Sequence, residues 1–200
     1  MKLYCNLTSP FARKVRVVVR ELGLEDRVEE ELIDPFAAQL PTEFLAANPL
    51  SRIPTLVTDR GEALPDSTLI IDYLQRRSKA RLSTPDNRWA AARRGVVAEG
   101  ILEAALGSVL EKRRPESIVY PAYLDRQQAA ILRAVDMLEL EASGLAIEHP
   151  GVVDITTGVA LAYLDFRLPY IAWRKRAPAL VTWFTPFAER PSMQATRPPA

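Results

Sequence analysis

Apolar and polar positions change their period a little before residue 80. Short apolar runs alternate with helical stripes before that point, and only helical spacing follows it. Lys2–Asn6 predicts a short strand. Val15, Val18, Val19 and Leu22 recur at helical spacing and predict a helix from Pro10 to about Leu22, with Gly23 as its stop. On that helix Arg13, Lys14, Arg16 and Arg20 read as a solvated face, with Arg13 one turn beyond Ser9. Val28–Ile33 brackets an acidic run and predicts a second strand. Thr42–Ala47 predicts a brief helical turn ending at Asn48-Pro49. Thr55–Thr58 and Glu62–Leu64 predict two strands joined by a tight turn at Asp59-Arg60-Gly61, and Asp66 opens a helix to about Arg77. The first crossover must be parallel and the last two strands antiparallel, so residues 1–78 form an α/β domain.

Ser78–Asp86 is polar and ends in Thr-Pro-Asp, which reads as a linker over 79–86. Residues 87–200 read as an all-α domain. Helical patterns cover Arg88–Arg113, Tyr123–Ala142 with a start signal at Asp125, Asp154–Trp173 and Pro178–Glu189. Tyr163, Phe166 and Trp173 are spaced as a core stripe, and the terminal TRPPA reads as frayed.

Composition narrows the chemistry. A hydrophobic content of 48%, 26% charged residues and a formal net charge of +1 give no reason to expect nucleic acid or an anionic membrane as a partner. The one cysteine, Cys5, excludes an intrachain disulfide and a cysteine-based zinc site. With one histidine, His149, in the turn EHPG, a multi-histidine metal site or a serine–histidine triad is also disfavoured. MKLYCNLTSP lacks the basic-then-apolar layout of a secretory signal, and no run reaches the roughly 18 apolar residues of a membrane span. A cytoplasmic, reducing location is the expectation.

Three stretches carry candidate chemistry. In TSPF, Ser9 stands at the N-cap position with Pro10 at the first helical position, where free amides and the dipole attract an anion. Ser9 is either a helix cap alone or a donor to a bound thiolate, and Thr8 is a second hydroxyl within reach. In NPLSRIPTLV, a cis Ile53–Pro54 bond would turn the Ile53 N–H and C=O toward that helix start, whereas a trans bond would make an ordinary turn before a strand. In PDS, Asp66 can pair with an ammonium group and Ser67 can hold a carboxylate at a helix start, or the two can be a simple cap. Cys5 reads as a buried small apolar residue.

SPFARKVR, NPLSRIPTLV, the Asp66–Ser67 pair and AYLDFR together resemble the glutathione S-transferase family, in particular a bacterial, YibF-like subgroup with serine at the catalytic position. The resemblance spans nearly the whole chain. It implies a thioredoxin-like N-terminal domain, a helical domain that supplies the second-substrate pocket near Ala104–Leu110, and a homodimer. It further implies glutathione as co-substrate, no metal, and a detoxifying transfer of the glutathione thiolate to a small electrophile. On it, Ser9 takes the thiolate role, Pro54 the cis-proline, Ile53 the backbone contact to the cysteinyl unit, and Asp66 with Ser67 the γ-glutamyl end. Arg52 stands where the family has a lysine, Leu40 where some members have another, and Gly151-Val-Val-Asp154 lacks one half of the usual capping box. Two rivals stay open: a glutathione-dependent reductase or thiol–disulfide exchanger, and a non-catalytic partner-binding protein.

Overall fold

The computed structural model describes residues 1–84 and 87–199, so Pro85, Asp86 and Ala200 of the predicted linker and terminus lie outside the described residues. Its first strand, β1 (Lys2–Cys5), leads into helix α1 (Pro10–Glu21). Then follow β2 (Glu29–Leu32), α2 (Thr42–Ala47), β3 (Thr55–Val57), β4 (Ala63–Pro65) and α3 (Ser67–Arg77). The sheet order is β2-β1-β3-β4, with β1 parallel to β2 and antiparallel to β3, and β3 antiparallel to β4. This is the predicted thioredoxin-like layer. Strand alternation sends Leu3, Cys5 and Leu56 to one face and Tyr4 and Val57 to the other. On the second face Tyr4, Ile33 and Phe44 make a cluster, with the Tyr4 and Phe44 rings 5.3 Å apart. Leu40 packs against that cluster, so the side chain at this position serves the core.

The predicted solvated face of α1 is a correction. Arg13, Lys14 and Arg16 are all buried. Arg16 Nε donates to Glu30 Oε2 at 2.7 Å and Arg20 Nη1 to Glu30 Oε1 at 3.0 Å. Arg13 is covered by the C-terminal segment, where it donates to the Met193 carbonyl at 3.0 Å and to Thr196 Oγ1 at 3.4 Å. The predicted fraying of TRPPA is corrected at Thr196, which is fully buried.

The chain divides into two units. The first joins Met1–Leu82 to the segment that begins at Pro191, which includes α9 (Pro191–Ala195); the second is Ser83–Arg190. The second unit is helical: α4 (Arg88–Glu111), α5 (Pro121–Leu140), α6 (Val152–Arg167), α7 (Trp173–Arg176) and α8 (Pro178–Ala188). Helix α5 starts at Pro121 after Tyr120, so Asp125 lies inside it and is not the start signal. Helix α6 ends at Arg167 because Pro169 follows; the predicted run to Trp173 breaks there. Tyr163 and Trp173 are core residues as expected, while Phe166 is only half-buried and carries the Arg167 guanidinium 4.1 Å above its ring. Gly158 on α6 leaves room for the Phe187 ring of α8, against which a Cβ would collide. At the start of α6, Asp154 accepts from the amides of Gly151 at 2.7 Å and Ala146 at 3.0 Å. Gly151 has no side chain to return the bond, so only one half of a reciprocal cap exists.

Candidate functional site

The sheet register brings the three predicted stretches together. Tyr4 is opposite Thr55, and Thr55 is opposite Pro65. The carboxyl end of β1, the amino end of β3 and the carboxyl end of β4 therefore lie side by side, with neighbouring strands about 4.8 Å apart. Ser9 follows the first of these ends, Ile53-Pro54 precedes the second, and Asp66-Ser67 follows the third.

At the first position Ser9 is the N-cap of α1 in extended conformation, and Pro10 opens the helix. Ser9 Oγ accepts from the Ala12 amide at 3.3 Å. Its neighbour Thr8 is engaged differently: both its N–H, at 2.9 Å, and its hydroxyl, at 2.8 Å, meet Asn6 Oδ1. Asn6 in turn donates through Nδ2 to the Ile33 carbonyl at 3.2 Å and accepts the Ser9 amide on its own carbonyl at 3.3 Å. Nothing in the residue pattern singled out Asn6, because its contacts run to both strand and loop.

At the second position the Ile53–Pro54 bond is cis. Neither the N–H nor the C=O of Ile53 has a hydrogen-bond partner among the described residues. The loop is held by Asn48, which is buried and whose sequence pattern marks only the end of a helical turn. Asn48 Nδ2 donates to the Arg52 carbonyl at 2.9 Å and to Thr55 Oγ1 at 2.9 Å, and Asn48 Oδ1 accepts the Leu50 amide at 3.0 Å. The Arg52 side chain is exposed.

At the third position the cap is Asp66, and Ser67 is the buried first residue of α3. Asp66 Oδ1 accepts from the amides of Thr68 at 2.7 Å and Leu69 at 3.4 Å. Its backbone sits at φ 74°, ψ 132°, a region that non-glycine residues rarely occupy, which marks a conformation imposed by the surroundings. Asp66 Oδ2 has no partner among the described residues.

Cys5 is fully buried, and burial pushes its thiol up to about 11, well away from a reactive thiolate. Among the described residues no group of three or more His, Cys, Asp or Glu side chains is placed to hold a metal ion, and no helix is long and apolar enough to cross a membrane.

Residues 8–77 match the family model for the glutathione S-transferase N-terminal domain, and residues 121–185 match the model for its C-terminal domain. The chain belongs to the glutathione S-transferase family. It is similar to the uncharacterized GST-like protein YibF of Escherichia coli (strain K12), with 32% identity over 100% of this chain and 99% of that one. A glutathione transferase family member from Pseudomonas fluorescens Pf-5, solved with bound glutathione, is 34% identical, with a TM-score of 0.92 over 100% of this chain and 99% of that one. A second structure described in the same words, with bound S-(propanoic acid)-glutathione, gives 35% identity and a TM-score of 0.87 over the whole of both chains.

Proposed function

We propose that this chain binds glutathione, stabilises its thiolate at the start of α1 and transfers it to a small hydrophobic electrophile. The register that sets the start of α1, the Ile53 backbone and Asp66 in one row carries the reading. Two strand spacings make about 10 Å, and three residues of extended chain cover about the same length. Laid along the row, glutathione has its sulfur at the positive end of α1. Its cysteinyl backbone pairs with Ile53 as an added strand would, and its γ-glutamyl ammonium meets Asp66 Oδ2. Ser67, through its own N–H and hydroxyl at the start of α3, takes the neighbouring carboxylate, and Arg52 supplies a cation for the glycyl one. The Pseudomonas fluorescens structures, one with bound glutathione and one with bound S-(propanoic acid)-glutathione, support the ligand and room for a substituent on its sulfur.

The nucleophile is the ligand sulfur; Ser9, with Thr8 as the second candidate, donates a hydrogen bond to it. A free thiol titrates near 8.5, and lowering it by about one or two leaves the thiolate well populated near neutral pH. The thiolate then forms the S–C bond while the leaving group departs with the displaced electron pair. Serine at position 9 and the buried Cys5 give thiol–disulfide exchange through a protein cysteine no support. A homodimer fits the exposed Trp89 and Val96, seven residues apart on one face of α4. Conjugation of an electrophile would be a detoxifying step, and the free, buried Cys5 is compatible with a reducing, cytoplasmic location.

Conjugation of glutathione to a generic aromatic electrophile tests the proposal. Ser9→Ala is expected to lower turnover about 10- to 1000-fold, and a change below about twofold would remove Ser9 from the role. Activity on glutathionyl disulfides that survives Ser9→Ala and fails in Asp66→Ala would make the protein a reductase. A folded chain that takes up no glutathione in calorimetry would make it a binding protein.

A further inference from the structure

The loop between β1 and α1 offers two adjacent hydroxyls, and a third residue makes them unequal. We propose that Asn6 is a positioning residue that selects the thiolate-binding hydroxyl, by engaging the proton of Thr8 and leaving that of Ser9 available. The inference rests on the glutathione reading above and names the group that decides between its two candidates.

A thiolate only accepts hydrogen bonds, so its protein partner must donate, and a hydroxyl has a single proton to give. The orientation of the Asn6 amide is set from both ends. The Thr8 N–H, 2.9 Å away, requires an acceptor and so faces Oδ1; the Ile33 carbonyl, 3.2 Å away, requires a donor and so faces Nδ2. Thr8 Oγ1 lies 2.8 Å from the same Oδ1, an acceptor, and its only proton must point there. Ser9 Oγ instead accepts from the Ala12 amide at 3.3 Å, which occupies a lone pair and leaves its proton without an acceptor among the described residues. The Ser9 amide donates to the Asn6 carbonyl at 3.3 Å, so the residue that occupies Thr8 also holds the Ser9 backbone. Thr8 can accept from a ligand but has no proton to offer it; Ser9 can donate.

The test is the pKa of the glutathione thiol bound to the full-length protein, read from thiolate ultraviolet absorbance against pH. Ser9→Ala is expected to raise it in the wild-type background. With Asn6→Ala also present the rise should fall to less than half, because the Thr8 proton is released, and adding Thr8→Val should restore it. Equal Ser9→Ala shifts with and without Asn6→Ala would overturn the selection. Should Asn6→Ala not fold, the single variants decide: Thr8→Val must shift the thiol far less than Ser9→Ala, and an equal or larger shift overturns the inference. If wild-type protein forms no thiolate with glutathione, the proposed function itself falls, an outcome distinct from the others.

Discussion

Replacing Arg13 separates the two forces that hold the helix carrying Ser9. Arg13 is only 6% exposed, and its guanidinium bridges from α1 to Met193 and Thr196, some 180 residues further along the chain. Burial, with Arg16 and Arg197 nearby, pulls it well below the usual guanidinium range, to about 10, which amounts to about 3 kcal/mol against the charged form. Opposing this are two hydrogen bonds from a charged donor, about 1.5 kcal/mol each or somewhat less for the long one to Thr196. The terms nearly cancel, so packing decides. Arg13→Met keeps most of the apolar stem volume and should change the unfolding free energy by less than about 1 kcal/mol. Of the two acceptors released, Thr196 Oγ1 stays bonded through its proton to the Ser192 carbonyl at 2.8 Å, and the Met193 carbonyl, 3.4 Å from that same hydroxyl, carries the residual cost. Arg13→Ala empties the site and should destabilise by about 2–4 kcal/mol. Urea unfolding of both variants measures the difference. Equal losses in the two would refute the reasoning and assign the stability to the charged hydrogen bonds.

Two further predictions concern buried acids. The Cys5 thiol, raised to about 11 in the fold from 9.0, should resist thiol reagents at neutral pH until the protein unfolds. Its contribution to stability is intact below pH 9 and declines as pH rises toward 11, by up to about 2–3 kcal/mol; a difference between wild type and Cys5→Ala that stays constant across that window would contradict this. Asp154 satisfies two amides at the start of α6, so Asp154→Ala should cost about 2–4 kcal/mol in thermal or urea unfolding. Burial raises its pKa above the ordinary carboxylate value, so protonation does not destabilise the fold. Asp154→Asn keeps one acceptor but turns an NH2 toward the other amide, so it should lose about 1–3 kcal/mol; an Asn variant as stable as wild type would show that the second acceptor is not needed.

What could be read from residues alone was local chemistry. A serine before Pro10, a proline before a strand and an Asp-Ser pair after one are caps and turns defined within a few positions, and the structure sets all three in a row. Misreadings arose where a distant segment decides. The cations of α1 look solvated by periodicity, yet Glu30 and the C-terminal segment cover them. Asn6 and Asn48 carry no pattern, because their roles consist of side-chain bonds to Ile33, Thr8, Arg52 and Thr55 that only the folded sheet assembles. The apolar stripe running on to Trp173 hides the end of α6, which comes at Arg167 because Pro169 follows.

A crystal structure of the protein with glutathione measures the central claim most directly. The account predicts the sulfur within hydrogen-bond reach of Ser9 Oγ, the Ile53 N–H and C=O paired with the cysteinyl backbone, and the ammonium at Asp66. A sulfur held by Thr8 with Ser9 turned away, or glutathione bound anywhere other than this row of strand ends, would contradict it.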